Sequence, residues 1–241
     1  MYINFMFYLF FILILIVLLP IFLYKKADTI ELNCGINPMN TTIKGDGFII
    51  VNDILNETCR KKIEDQFLQE AKKNKKLNED KNLSLYTDDE FLYELSKIVG
   101  ENLYPVNSLD LQRCWLRYYF EGMNAKYYEN YHHDVKRYDP SIKQYRLIIP
   151  IYDKSNTKFT IEKYGKFPFT QNMGVFLEAD NCLHKVNFDK GERFLLIMDF
   201  TNKKCDSLYN HYMCRGPVGY WWWIRDSIWR KISQTYYKIV N

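Results

Sequence analysis

From residue 111 to about residue 202 the chain alternates short apolar runs with turn formers, and this punctuation limits its fold more than any other feature. The runs are Leu111-Gln112-Arg113-Cys114-Trp115-Leu116-Arg117-Tyr118-Tyr119, Arg146-Leu147-Ile148-Ile149-Pro150-Ile151, Gly174-Val175-Phe176-Leu177-Glu178, His184-Lys185-Val186 and Arg193-Phe194-Leu195-Leu196-Ile197-Met198-Asp199-Phe200. Each is rich in β-branched and aromatic residues, and Gly122 and Gly191 mark breaks between them. Such a series describes an antiparallel barrel or jelly roll, so the expected class is mainly β (α+β) with flanking helices. An aromatic content of 17% suits a β-rich interior, and a formal charge of +4 is too small to argue for a nucleic-acid partner. Once the N-terminus is set aside roughly 215 residues remain, enough for one domain with a substantial core.

Of the chemistry-bearing residues, His184 and Arg193 fall on these runs, and His132 and Asp134 follow the first of them. His132-His133-Asp134 places a histidine and an aspartate at i and i+2, which on a strand share one face. His184 follows about fifty residues later, so two imidazoles and one carboxylate can converge on a metal. That set leaves open positions on a non-heme Fe(II), the requirement for oxygen activation. Arg193 follows His184 by nine residues, on a run suited to hold an organic carboxylate bidentately. Taken alone, a His-x-Asp triplet among four histidines would equally suit a polar loop with solvated side chains. The strand context around it favours the metal reading. His133 should face away, and Glu178 and Asp180 fit a polar strand edge and turn better than a ligand set.

This ordered set resembles the 2-oxoglutarate/Fe(II)-dependent dioxygenase superfamily over roughly residues 45–202. The resemblance implies a double-stranded β-helix, with Fe(II) held by His132, Asp134 and His184. It also implies 2-oxoglutarate as co-substrate, its distal carboxylate paired with Arg193, and ascorbate as an accessory reductant. The reaction implied is hydroxylation of an unactivated carbon coupled to decarboxylation of 2-oxoglutarate to succinate. Gly47-Phe48-Ile49-Ile50-Val51, a helix from about Glu57, and Arg117-Tyr118-Tyr119 look like prolyl 4-hydroxylases. Arg146-Leu147-Ile148-Ile149-Pro150-Ile151 and Leu195-Leu196-Ile197-Met198-Asp199 look more like aspartyl/asparaginyl β-hydroxylases. In the latter an arginine on the equivalent strand contributes to co-substrate binding, which makes Arg146 a second candidate beside the reading of a solvated strand residue. Lys158-Phe159-Thr160-Ile161 stands where prolyl hydroxylases carry a glycine-rich acidic-threonine turn.

The termini add a second theme. Ile3 to Tyr24 carries no charge, and roughly 20 apolar residues span a bilayer, so residues 1–24 are expected to form a single transmembrane anchor. A basic start and a small-residue cleavage site, the marks of a removed signal peptide, are missing. Residues 25–44 read as a polar juxtamembrane linker, 45–202 as the dioxygenase domain, and 203–241 as an aromatic-rich helical tail. Lys25 and Lys26 favour a cytosolic domain, while sequons at Asn40, Asn56 and Asn82 favour the endoplasmic reticulum lumen, and the side stays open. In the tail, Trp221, Ile224, Ile228 and Ile232 share a helical face that suits either the membrane interface or the barrel surface. An amphipathic helix over about Glu57–Asn74 ends in a lysine cluster, and residues 72–87 read as a polar loop. Six cysteines match no zinc spacing. The expected substrate is a prolyl, aspartyl or asparaginyl side chain of a protein. A lipid acyl chain, or a silent barrel acting as a binding or structural module, are the alternatives.

Overall fold

A computed structural model describes residues 8, 10–12, 29–32, 34–37, 42–74, 78–80, 82–108, 111–112, 114–123, 129–134, 141–188 and 190–204. The main sheet takes the order β1 (Thr42–Gly45), β2 (Phe48–Val51), β8 (Gly174–Glu178), β5 (Gln144–Asp153), β10 (Glu192–Thr201), β4 (Cys114–Phe120) and β3 (Asn78–Asp80). Every pairing along it is antiparallel. Tyr104–Pro105 adds a short pairing to the end of β10. A smaller antiparallel sheet takes the order β7 (Gly165–Pro168), β6 (Lys158–Ile161), β9 (His184–Asn187).

Successive residues of a strand point to opposite faces, and this alternation divides the core in two. On one face of the main sheet Cys114, Leu116, Phe194, Leu196, Met198 and Phe200 pack beneath the helices. On the other face Trp115, Tyr119, Ile148, Leu195 and Ile197 meet Phe159, Ile161 and Val186 of the smaller sheet. The result is a jelly-roll sandwich with a helical layer outside it. The mainly β expectation therefore describes the molecule. β5 and β10 are the longest strands and lie at the centre, consistent with their nearly unbroken apolar sequences.

Helix α1 (Glu57–Asn74) buries Cys59, Ile63, Phe67 and Ala71 at i, i+4 spacing against the main sheet. Asn56 Oδ1 accepts from the Cys59 amide at 2.8 Å and satisfies one amide of its first turn. Arg60, almost wholly buried, pairs with Glu57 and Glu64 and donates to the Ile151 carbonyl at 2.7 Å, tying α1 to β5. Helix α2 (Asp89–Val99) is capped by Asp88, which accepts from the Phe91 amide, and is closed by Gly100 at φ 80°.

Two expectations about connecting segments change. Residues 29–32, 34–37 and 42–44, expected within a linker, are built into the domain. Thr29–Ile30 pairs in parallel with Asn82–Leu83, Leu32 is buried, Cys34 is disulfide-bonded to Cys59, and Thr42–Gly45 is β1. The expected loop of residues 72–87 contributes β3 to the sheet edge and a 3-10 turn, Ser84–Thr87, that buries Leu85 and Tyr86. Of the apolar N-terminal segment, Tyr8 and Phe10–Ile12 are helical and exposed, and its remainder lies outside the described residues. Among the described residues no helix is long and apolar enough to cross a membrane. The tryptophan-rich tail expected over 203–241 lies outside them from residue 205 onward.

Candidate metal centre

His132 and His184 meet in an isolated antiparallel bridge, with amide-to-carbonyl distances of 2.9 and 3.1 Å. Directly opposed residues of such a pair share a face, and the two ring centroids lie 4.5 Å apart. Asp134 sits in a bend two residues past His132 and turns its carboxylate between them. His132 Nε2 lies 3.9 Å from Asp134 Oδ1, and His184 Nε2 lies 3.7 Å from Oδ2. One ligand atom from each residue falls within 4.8 Å of the others. The sequence-predicted triad is assembled from a loop and a strand about fifty residues apart.

The tautomers are set by the backbone. His132 Nδ1 is 2.8 Å from the Asn130 carbonyl and His184 Nδ1 is 3.0 Å from the Cys182 carbonyl. A carbonyl only accepts, so each Nδ1 carries a proton, and in the neutral ring this leaves Nε2, on the Asp134 side, as the ligating nitrogen. His184 is packed flat on Phe159, with ring centroids 5.1 Å apart and an interplanar angle of 12°. Burial lowers its pKa despite the nearby Asp134, which favours the neutral, ligating form. His133 is exposed. Glu178 and Asp180 stand outside the cluster, as their strand-edge reading requires.

The triad opens on a cavity of about 230 Å³. Its floor is the inner face of the main sheet, with Trp115, Arg117 and Tyr119 from β4, Arg146 and Ile148 from β5, and Arg193, Leu195 and Ile197 from β10. Phe169 and Val186 close the opposite side. Arg193 is 2% exposed, and its Nε and Nη1 have no hydrogen-bond partner. Its guanidinium carbon lies 4.3 Å from the Tyr119 ring, 5.3 Å from Phe188 and 5.7 Å from Phe169. Burial pulls its pKa down to about 10, so it stays protonated at neutral pH. Gly191, at φ 90°, opens β10 where any Cβ would run into the Lys154 carbonyl, and this close approach sets the start of the strand that carries Arg193.

Arg146 also lines the cavity, but three of its nitrogens are committed to carboxylates of the chain. Nε and Nη2 bond Asp199 at 2.7 and 3.0 Å, and Nη1 lies 2.7 Å from Asp134 Oδ1. Arg146 is therefore not a solvated strand residue: it lines the same cavity as the triad and Arg193. Sequence reasoning missed Trp115, Tyr119, Phe169 and Asp199 as parts of the site. The period-2 pattern of β4 and β10 places Trp115 and Tyr119 on the same face as Arg193, and that signal could have found them.

The residues fit the groups that the sequence resemblance implies. Two imidazole nitrogens and one carboxylate suit non-heme Fe(II). Asp134 Oδ2 is buried without a hydrogen-bond partner, a costly state for an anion unless a cation completes it. The unsatisfied nitrogens of Arg193, at the same cavity, offer a planar fork to a carboxylate.

No family model matches the chain, and no curated protein matches it. Solved structures similar to it include two prolyl hydroxylases and a 2OG-Fe(II) oxygenase family member. A Pseudomonas putida prolyl-4-hydroxylase shares 10% identity at a TM-score of 0.46, covering 66% of this chain and 89% of that one. A viral collagen prolyl hydroxylase from Paramecium Bursaria Chlorella virus-1 shares 9% identity at 0.46, covering 69% and 97%. A 2OG-Fe(II) oxygenase family oxidoreductase from Burkholderia pseudomallei shares 11% at 0.38, covering 50% and 55%.

Proposed function

We propose that this chain is a 2-oxoglutarate/Fe(II)-dependent dioxygenase that hydroxylates an unactivated carbon. The observation that carries this reading is the shared cavity of a two-histidine, one-carboxylate cluster and a buried arginine with unsatisfied nitrogens. Bound iron and 2-oxoglutarate would supply the oxidising power, with succinate and carbon dioxide as by-products. The chain's own residues do the rest. His132, Asp134 and His184 hold the metal from one side and leave the other open to ligands. Arg193 would hold the distal carboxylate of the co-substrate within the cavity it shares with the triad. Tyr119, Phe169 and Phe188 keep water from the guanidinium, which strengthens that pairing.

A prolyl, aspartyl or asparaginyl side chain of a protein is the substrate class that the sequence resemblance supports. We also place the domain beside a membrane, held by the apolar segment Ile3–Tyr24, in an oxidising compartment. The Cys34–Cys59 disulfide supports that compartment, because such bridges persist where thiols are not kept reduced. The test is succinate formation by the purified full chain with Fe(II) and 2-oxoglutarate, with proline-rich peptides, asparagine-containing peptides or lipids. Peptide-stimulated succinate that His184→Ala abolishes is expected. Stimulation by lipid alone would move the substrate to acyl chains, and no turnover by iron-loaded protein would overturn the enzyme reading.

A further inference from the structure

We propose that Arg146, braced by Asp199, is a positioning residue for the metal ligand Asp134, holding Oδ1 so that Oδ2 alone is offered to the metal. This rests on the metal-centre reading above. Arg146 and Asp199 are directly opposite one another across the antiparallel β5–β10 pair, where Cβ atoms lie about 5 Å apart. The guanidinium grips Asp199 in a parallel two-bond fork, Nε to Oδ1 at 2.7 Å and Nη2 to Oδ2 at 3.0 Å. That fork fixes the plane of the group and leaves Nη1 aimed at Asp134 Oδ1, 2.7 Å away. Trp115 supports the group, with the guanidinium carbon 5.0 Å from its ring. Asp199 is itself fixed from the far side of the sheet: its carbonyl accepts from the Tyr86 hydroxyl and from the Val106 amide.

Asp134 needs such a brace. His184 is held in a strand and His132 by its bridge, but Asp134 lies in a bend beyond the bridge. A carboxylate with both oxygens free could chelate through two atoms and occupy a second coordination position. With Oδ1 on Arg146, the buried and otherwise unpartnered Oδ2 remains for the metal. The arginine that the sequence offered to the co-substrate serves the metal ligand instead.

Positioning and plain electrostatics give opposite signs, which makes the idea testable. Removing a cation beside a cation site should tighten metal binding if charge alone matters. If Arg146 positions Asp134, Arg146→Gln should weaken Fe(II) binding about tenfold or more, the usual size of an outer-ligand effect. The experiment is anaerobic titration of the full chain with Fe(II), and with Co(II) read by its absorption spectrum, with folding checked by circular dichroism. Arg146→Gln should shift the Co(II) bands as well as the affinity, and Arg146→Lys should restore only part, since a compact ammonium cannot form the planar fork on Asp199 and reach Asp134 as well. Asp199→Asn gives an independent arm should Arg146→Gln fail to fold. Charge alone would weaken Fe(II) binding with unchanged Co(II) bands, whereas losing the brace should let Arg146 close on both Asp134 oxygens and shift the bands as well, so an unshifted spectrum overturns the proposal. Unchanged or tighter Fe(II) binding in folded Arg146→Gln would overturn the proposal. Lost 2-oxoglutarate binding at unchanged metal affinity and spectrum would do the same and return Arg146 to the co-substrate. Wild type that binds no Fe(II) would instead overturn the metal centre itself.

Discussion

His132 and His184 exchange both backbone hydrogen bonds across a single bridge, so two side chains about fifty residues apart are fixed on one face by main-chain contacts alone. The smaller sheet thus extends one residue past β9 to capture the loop that carries the other two ligands. Neither histidine depends on the metal for its ring orientation, because each Nδ1 is already bonded to the carbonyl two residues before it.

Removing one ligand of this set should be far more damaging than removing its neighbour. His184→Ala should weaken Fe(II) binding by more than about a hundredfold, beyond the range of outer-shell changes. His133→Ala, at an exposed side chain, should leave affinity within about twofold by the same scale. Calorimetric metal titration of both variants checks this, and equal losses would mean that the wrong histidine has been assigned.

Arg193 should show a trade between stability and binding. A buried guanidinium with unsatisfied nitrogens costs the ligand-free domain, so Arg193→Met should stabilise it, by roughly 1–4 kcal/mol. The same variant should lose 2-oxoglutarate binding while keeping Fe(II). Arg193→Lys should weaken 2-oxoglutarate without abolishing it, because a point charge replaces a fork. Denaturant unfolding and co-substrate titration together decide the matter; a destabilised Arg193→Met with intact 2-oxoglutarate affinity would make Arg193 a structural residue.

Glu192 links α1 to the sheet, bonding Lys72 at 2.9 Å and accepting from the Tyr118 hydroxyl at 2.8 Å. The Lys72 hydrogen bond, chiefly, lowers its pKa below the ordinary carboxylate value of 4.5. A depressed carboxylate contributes stability above that value and loses it as pH falls through the lower, folded-state value. Glu192→Gln should therefore cost at most about 1 kcal/mol at pH 7, since both partners are about a third exposed and screened. The difference from wild type should shrink as pH falls below 4.5 and vanish once pH lies below the lowered, folded-state value. Unfolding curves at pH 7 and along a series into acid test it, and a difference that does not decline with pH would point to packing instead of charge.

The Cys34–Cys59 bridge closes a loop of sequence separation 25 between the segment before β1 and helix α1. Cys34→Ser should lower stability by about 2–4 kcal/mol, and reductant should do the same to the wild type. Thiol labelling with and without reductant, together with unfolding midpoints, measures this. A wild type whose Cys34 and Cys59 both label without reductant would remove the support for an oxidising compartment.

The strands of the main sheet were readable because β-branched and aromatic runs must alternate faces, and Glu57–Asn74 because its apolar residues recur every four. The His-x-Asp pair was readable from its residue types and spacing, but the strand expected to carry it is a single bridge at His132 followed by a bend at Asp134. Other parts required register. Nothing in Asn78-Glu79-Asp80 has strand propensity; it pairs because β4 presents an open edge. Asp199 becomes the brace of Arg146 only once β5 and β10 are aligned, and a single-residue slip would put it on the other face. Helix α2 was missed although Asp88 and Gly100 bracket it, because its apolar residues Phe91, Leu95 and Ile98 span barely two turns.

The membrane reading yields its own outcome. The full chain should resist carbonate and high-salt extraction, and deleting residues 1–26 should release it to the soluble fraction. Vesicle binding by the truncated protein would add the tryptophan-rich tail as a second contact, which serine at Trp221, Trp222 and Trp223 should abolish. Extractable full-length protein would end the anchor proposal.

The pairing of Thr29–Ile30 with Asn82–Leu83 sets how far the catalytic body could stray from an anchored segment. With Tyr24 at a bilayer surface and Thr29 already paired to Asn82, only residues 25–28 are left to span the gap. Five fully extended steps from Tyr24 to Thr29 reach at most about 18 Å, less than the width of a small domain. The catalytic body would ride against the lipid headgroups rather than swing on a leash, and targets would have to come to it along the membrane plane or through the thin layer above it.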